Sequence, residues 1–362
     1  MAVVPDKPHL KSLSLSSLEA AVLAYGQPRY RAEQILRWIY QKRAKSISEM
    51  TDVPASLRDW LVSEFRFDEL TLARQTGSHD TTRKLLFRLR DGRFIESVVI
   101  PATPAEFGET SSRRTICVSS QVGCAYGCKF CASGLEGWTR HLESEEIVDQ
   151  ILEAERLTNE RIQNIVFMGM GEPLANFDNL TRAIEIINSP WGIGLGARHI
   201  TVSTSGLVPQ IRKLAELPLQ LRLAISLHGA TDDVRAQIMP VNRKYPVDEL
   251  LEACSYWQSR KKQHITFEYI LIDQVNDTLE QARELARHAS RLSAKVNLIP
   301  YNTVEGLSWV RPSIRRQEAF LDILRSQGVK ATIRREKGHD IDAACGQLRL
   351  RHEREVGVVP AA

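Results

Sequence analysis

Cys124, Cys128 and Cys131 fall in the run Cys124-Ala-Tyr-Gly-Cys128-Lys-Phe-Cys131, a C-x3-C-x2-C spacing. Three thiolates this close can hold three corners of a cubane [4Fe–4S] cluster and leave the fourth iron without a protein ligand. Clusters that only carry electrons take four cysteines, so a vacant corner marks a place where a small molecule binds. The competing reading is a structural zinc knot. Zinc ligands arrive as paired C-x2-4-C units that supply four donors, and no second Cys pair or Cys/His pair lies nearby in the chain.

Other reactive residue types follow runs that read as strands. Met168-Gly-Met170-Gly171-Glu172-Pro173 comes after Ile165-Val-Phe167. Its glycines let backbone approach a ligand closely, and Glu172 is able to hold an ammonium group. Ser203-Thr-Ser-Gly206 and Ser226-Leu227-His228-Gly229 end the next two strands. Such hydroxyls are ordinary helix N-caps when met singly, but successive strand ends of this kind suit a carboxylate or a ribose. His228 by itself reads as a structural histidine with no acid–base role. Asn302, after Leu298-Ile-Pro300-Tyr301, could pair with an adenine edge. Cys345 lies in His339-Asp340-Ile-Asp342-Ala-Ala-Cys345-Gly346. A lone cysteine is commonly a small buried hydrophobe, yet this one sits between acids and a glycine, where a reactive thiol is credible. Cys117 is too near Cys124 to join that ligand set, and Cys254 reads as helix core.

These residues need a scaffold. Residues 14–66 read as three short helices rich in Lys and Arg, the first with a Ser16-x-x-Glu19 capping signature. From 70 to 100 the period becomes two, and Asp91-Gly92 turns a hairpin. On its return strand Phe94, Glu96, Val98 and Ile100 share a side. Glu96 is therefore at the sheet margin, the reading preferred here, or in a low-dielectric pocket where burial favours proton exchange. After a linker at 102–114, strands and helices alternate to residue 335, which predicts a parallel sheet with right-handed crossovers. About six such units form an incomplete barrel or a doubly wound sheet. The barrel is preferred because the unusual residues fall just past strand C-termini, the functional end of such folds.

With 362 residues, 43% hydrophobic and 25% charged, the composition is that of an ordinary globular protein. No apolar run reaches membrane-spanning length, and six cysteines with a tight cluster and no secretory leader predict a reducing, cytoplasmic compartment. The net charge of +4 permits a nucleic-acid partner. Basic clusters at Arg29/Arg31/Arg37/Lys42/Arg43/Lys45, Arg260/Lys261/Lys262, Arg311/Arg315/Arg316 and Arg334/Arg335/Lys337 are each more often solvated faces than phosphate contacts. Together they lean toward RNA.

The C-x3-C-x2-C spacing is that of radical S-adenosylmethionine (SAM) enzymes. With Cys117-Val-Ser-Ser-Gln-Val-Gly-Cys124, Met168-Gly-Met-Gly-Glu-Pro173, Ser203-Thr-Ser-Gly206, Ser226-Leu-His228, Ile299-Pro-x-Asn302 and Ala344-Cys345-Gly-Gln-Leu348, nearly the whole chain resembles the RlmN/Cfr family of radical-SAM RNA adenine methyltransferases. Arg140-His141-Leu142 departs from the family's usual Arg-Asn-Leu, outside the catalytic motifs. The resemblance implies an incomplete (β/α)6 TIM-type barrel at 115–350. It also implies a helical, RNA-binding accessory domain at 1–68, a β-hairpin extension and linker at 69–114, and a tail at 351–362. It implies one [4Fe–4S] cluster on Cys124, Cys128 and Cys131, with SAM held by Gly171, Glu172, Ser203, Ser226, Leu227, His228 and Asn302. Cys345 would take a methyl from one SAM. A second SAM, cleaved on the cluster, would make a radical of that S-methyl group, which adds to adenine and crosslinks protein to RNA. Glu96 would remove the ring proton, and Cys117 would attack the Cys345 sulfur, leaving a disulfide and methylated RNA. Met168 matches a position beside the active site. Implied partners are 23S rRNA, tRNA and an electron donor such as flavodoxin or ferredoxin, acting on a monomer. Carbon 2 of adenosine is the expected target and carbon 8 the alternative. A glycyl-radical activase or peptide maturase would share the cysteines but need no Cys117/Cys345 pair, and an RNA-binding module with a structural metal would bind one zinc.

Overall fold

The computed structural model describes residues 7–68, 70–101, 113–135, 137–302, 304 and 307–334. Three helices open it. Helix α1 (Leu15–Ala24) is capped by Ser14, whose hydroxyl accepts the Ser17 N–H at 2.8 Å. The cap is thus two residues earlier than the expected Ser16 box, because Ser14 is the residue with extended backbone and an oxygen facing the first turn. Helix α2 (Tyr30–Tyr40) buries Ile35, Leu36, Ile39 and Tyr40 as the spacing predicts. Helix α3 (Ala55–Glu64) begins directly after Pro54 and buries Leu57 and Leu61.

Strands β1 (Thr71–Gly77), β2 (Arg83–Arg88) and β3 (Phe94–Pro101) form an antiparallel meander that pairs through β3 with β4 (Arg114–Cys117). Strand β1 adds a third member to the expected hairpin. Gly92 turns the β2–β3 connection at φ +82°, where a side chain would be strained. Strand β3 is interior to the sheet, and every residue from Phe94 to Val99 is buried, so both of its faces are covered. Glu96, expected at an exposed margin, is instead 5% accessible.

The chain continues as a small hairpin, β5 (Gln121–Gly123) and β6 (Trp138–His141), enclosing the short helix α4 (Ala132–Leu135). Then come α5 (Ser144–Thr158), β7 (Asn164–Phe167), α6 (Phe177–Asn188), β8 (Ile200–Thr204), α7 (Val208–Ala215) and β9 (Arg222–Ser226). They are followed by α8 (Asp232–Ile238), α9 (Val247–Lys261), β10 (Thr266–Leu271), α10 (Leu279–Arg291), β11 (Lys295–Pro300), α11 (Ile314–Ser326) and β12 (Ala331–Ile333). The sheet order is β1-β2-β3-β4-β7-β8-β9-β10-β11-β12. From β4 onward every neighbour is parallel. Helical crossovers link these strands, and the described sheet ends at β1 and β12, giving the incomplete barrel. Apolar strand residues such as Ile165, Val202, Leu223 and Phe267 are fully buried under the helices, as parallel sheets require.

The helical module is seated on the barrel. Lys11 Nζ lies 2.8 Å from Asp149 Oδ1 on α5, both side chains under 5% exposed. Tyr40 donates to the Lys11 carbonyl at 2.6 Å, Arg43 reaches Glu155 at 2.6 Å and Arg182 donates to the Ser12 carbonyl at 3.0 Å. One continuous apolar core runs through both parts.

Candidate active site

Strand register decides which residues meet. Val98 lies opposite Cys117, Cys117 opposite Val166, and Val166 opposite Thr201. Further along the strands Ser203 lies opposite Ala224, and Glu268 lies opposite both Ser226 and Asn297. Partners across a ladder project from the same face, and Glu96, two residues before Val98, joins them. This face turns inward. Ser203, Ser226 and Glu268 line an open cavity at the strand C-termini, together with Cys124, Cys128, Cys131, Met168, Gly171, Glu172 and His228.

The cysteine loop is held by its backbone. Cys124 donates to the Gly137 carbonyl at 2.8 Å, Cys131 to that of Cys128 at 3.1 Å, and Lys129 to that of Ile238, ending α8, at 2.9 Å. Gly134 packs so closely that a Cβ would lie 3.1 Å from the Cys128 carbonyl oxygen. Burial pushes the Cys124 thiol up to about 12, with Cys131 adding to it. Burial and both neighbouring thiols push Cys128 well above its ordinary value. Cys124 and Cys128 are therefore protonated without metal, and iron must displace their protons. Among the described residues no set of three or more His, Cys, Asp or Glu converges on one metal ion. Three thiols along one cavity wall suit a multi-iron cluster with one open corner, and the donor set fits.

Across from them the glycines have steric causes. Gly171 has φ +98°, and a Cβ there would stand 2.5 Å from Gln121 Cβ. Gln121 Oε1 in turn accepts the Glu172 N–H at 2.7 Å. The Glu172 carboxylate accepts the Leu174 N–H at 3.0 Å and the Ser205 N–H at 2.7 Å. Burial pushes it up, and the Ser205 bonds oppose that. The Ser205 and Thr204 hydroxyls also favour its charged form, and the carboxylate lines the cavity. His228 takes left-handed backbone, φ +57°. Its Nδ1 accepts the Ile270 N–H at 3.0 Å, which leaves the ring proton on Nε2. Burial, helped by Arg235, lowers its pKa to about 3, so it stays neutral. Leu227 is fully buried beside it and does not line the cavity.

Besides Leu227, three expected site residues stand back from this cavity. Glu96 is buried with Lys84 Nζ 3.6 Å from its Oε1, and Cys117 is 7% exposed at the end of β4. Asn302 is buried with its Oδ1 accepting from Arg311 at 2.8 Å. Glu96 and Cys117 do share the inward face. Cys345 lies outside the described residues, as do Arg335 and Lys337. No disulfide joins the described cysteines.

Several residues that hold the site carry no motif. Gln150 on α5 accepts from Ser97 Oγ and the Ser119 N–H, each at 2.8 Å, and fastens β3 to the strand that enters the cysteine loop. Asn276 donates to the His228 carbonyl at 2.7 Å and to that of Ile270. Arg235, wholly buried, donates to Leu227, Ser205 and Asn242. Glu268, on β10, belongs with them. Their signal is tertiary: each is a polar side chain under 8% exposed with at least one partner distant in sequence. His141, the departure from Arg-Asn-Leu, lies 3.0 Å from Gln121 Nε2 and so touches the Gly171–Glu172 turn through one residue.

Of the basic clusters, Arg260 is paired with Glu216, Lys261 with the Leu217 carbonyl, Arg316 with Asp277 and Arg311 with Asn302. On the helical module Arg29, Arg37, Lys42 and Lys45 are exposed beside Tyr30, which is 57% accessible. Lys42 stacks 3.5 Å over the Trp38 ring. Among the described residues no helix is long and apolar enough to cross a membrane.

Residues 118–287 match the Radical SAM superfamily, and residues 9–66 match the ribosomal RNA large subunit methyltransferase N-terminal domain. A protein of Akkermansia muciniphila described as a probable dual-specificity RNA methyltransferase RlmN is 53% identical over 97% of this chain and 98% of its own. A likewise named protein of Opitutus terrae is 55% identical over the full length of both. The crystal structure of a radical SAM methyltransferase from Sphaerobacter thermophilus superposes with a TM-score of 0.88 at 44% identity, covering 94% of this chain and 99% of the other.

Proposed function

Because the chain belongs to the RlmN family of radical-SAM RNA methyltransferases, we propose that it methylates carbon 2 of adenosine in 23S rRNA and in tRNA. The observation that carries this reading is the convergence of the three-cysteine loop with Gly171, Glu172, Ser203, Ser226 and His228 on one cavity at the barrel's C-terminal end.

Cys124, Cys128 and Cys131 hold the [4Fe–4S] cluster. Gly171, Glu172, Ser203, Ser226, Leu227, His228 and Asn302 hold SAM. When bound, the two together supply a one-electron oxidant strong enough to take hydrogen from an unactivated methyl group. The protein does the rest. Cys345 carries the methyl group as a thioether. Glu96 takes the proton from the adenine ring, a role suited to a buried carboxylate beside a lysine. The Cys117 thiolate attacks the Cys345 sulfur and a Cys117–Cys345 disulfide forms, later to be reduced. The bond from that sulfur to the product carbon breaks, and the carbon keeps the electron pair and takes up a proton, which completes the methyl group. The neutral His228 shapes the cavity wall and transfers no proton. Met168 lines the same cavity.

The exposed basic and aromatic face of the helical module supports its role as an RNA-binding accessory domain. The division at 68, 114 and 350, consumption of two SAM per turnover, reduction by flavodoxin or ferredoxin, and action as a cytoplasmic monomer complete the proposal. The test is mass spectrometry of rRNA and tRNA from cells with and without the protein. Loss of 2-methyladenosine from both RNA classes is expected. Loss of the 8-methyl isomer would move the reaction to carbon 8, and no change in either RNA would overturn the reading.

A further inference from the structure

Glu268 sits near the middle of β10 and is 5% exposed, yet it lines the cavity. Its two oxygens differ. Oε1 accepts from Asn297 Nδ2 at 2.9 Å, and Asn297 Oδ1 accepts from Thr332 Oγ1 at 3.1 Å. A relay across β10, β11 and β12 therefore fixes the carboxyl group in one orientation. Oε2 has no hydrogen-bond partner among the described residues. A buried acceptor left bare is costly, more so when it carries charge, and this one is held by its neighbours rather than swung to a nearer donor. Glu172, the other carboxylate of the cavity, already accepts two backbone N–H groups.

We propose that Glu268 is a further cofactor-binding residue whose Oε2 accepts hydrogen bonds from the vicinal ribose hydroxyls of S-adenosylmethionine. This rests on the cavity being the cofactor site. With the amino-acid end of the cofactor at the cysteine loop, the next hydrogen-bond donors along it are the two ribose hydroxyls. Ser226, directly opposite Glu268 on β9, and His228 flank the carboxylate on the same wall. Burial raises the pKa of Glu268, and the Arg334 guanidinium pulls it back toward the charged, accepting form. A hydroxyl pair meeting a fixed carboxylate oxygen discriminates sharply, because a ligand lacking the hydroxyls leaves that oxygen buried and bare.

The test is calorimetric binding to anaerobically reconstituted, oxidised protein, in which the cofactor is not cleaved. The ligands are S-adenosylmethionine and its 2′-deoxy and 3′-deoxy analogues. Glu268→Gln keeps the shape but turns an amide N–H₂ toward the ribose, and Glu268→Ala removes the group. Both should weaken S-adenosylmethionine binding about tenfold or more, with cluster absorbance and melting temperature retained in the Gln variant. Wild type should lose a similar factor on at least one deoxy analogue, and the variants should lose little further on it. Variants that bind S-adenosylmethionine like wild type, or losses that multiply between variant and analogue, overturn the Glu268 assignment while the cofactor site stands. Wild type that fails to bind S-adenosylmethionine overturns both.

Discussion

Gln121 Oε1 accepts the Glu172 N–H at 2.7 Å, while the Gln121 side chain fills the space where Gly171 would carry a Cβ. The glycine and the glutamine are one fitted pair. Gly171→Ala would bring carbon to carbon at 2.5 Å on a backbone at φ +98°. It should cost about 1–3 kcal/mol by denaturant melts and abolish S-adenosylmethionine binding. Adding Gln121→Ala should recover little, because the Gln121 Cβ that stands 2.5 Å away stays in place and the backbone angle remains. Gln121→Gly should recover the steric part alone.

Removing any of Cys124, Cys128 or Cys131 should leave protein that holds less iron after reconstitution. Wild type should take up about four irons per chain with matching sulfide. One zinc per chain with no visible absorbance would sink the cluster assignment. Cys345→Ala should keep the cluster and lose methyl transfer, whereas Cys117→Ala should accumulate RNA bonded to protein, seen as a slow band that ribonuclease trims.

The buried Lys11–Asp149 pair, 2.8 Å apart, is the deepest ionic tie between helical module and barrel among the described residues. Lys11→Ala strips the ammonium from a buried carboxylate and should cost about 3–5 kcal/mol. The double variant Lys11→Met, Asp149→Leu should recover most of it in urea melts, since neither charge then needs solvation. A Lys11→Ala protein as stable as wild type would show that the module contributes no such tie.

His9 and His228 are held neutral by burial, at about 4 and about 3. Both folded values lie below the unfolded value of about 6.5, so the unfolded chain binds more protons. Stability from these residues is complete above about pH 6.5 and is lost as pH falls toward 4, at up to about 1.4 kcal/mol per unit for each histidine. Glu145, pushed up to about 7 by burial, acts in the opposite sense. His9→Gln should therefore flatten the acid limb of a melting-temperature profile relative to wild type. An unchanged slope would refute the assignment.

Reversing charge at Arg37 and Lys45, both exposed on the helical module, should weaken RNA binding across sequences. It should also make binding less sensitive to salt, with the slope falling by about 1 for each phosphate no longer neutralised. The same reversal at Arg260, which is paired with Glu216, should change little.

Much of this protein is written along the chain. The three cysteines, the glycine-rich turn after β7 and the serine-bearing strand ends are local in sequence. Alternating strand and helix periods bring them to one end of a parallel sheet, because right-handed crossovers leave little other choice. Tertiary structure decided what depends on strand order and burial. Alternation within one strand cannot tell an edge from an interior position, so it places Glu96 at a margin. Only the folded structure shows β3 paired on both edges and buried on both faces, with Ser97 held by Gln150 of α5 and Glu96 5% exposed. Gln150, Asn276, Arg235 and Glu268 sit in no motif, since their partners are groups brought close by folding. Local spacing therefore determined which groups could bind metal, whereas register and solvent exclusion determined which polar atoms are already satisfied and which still await a ligand.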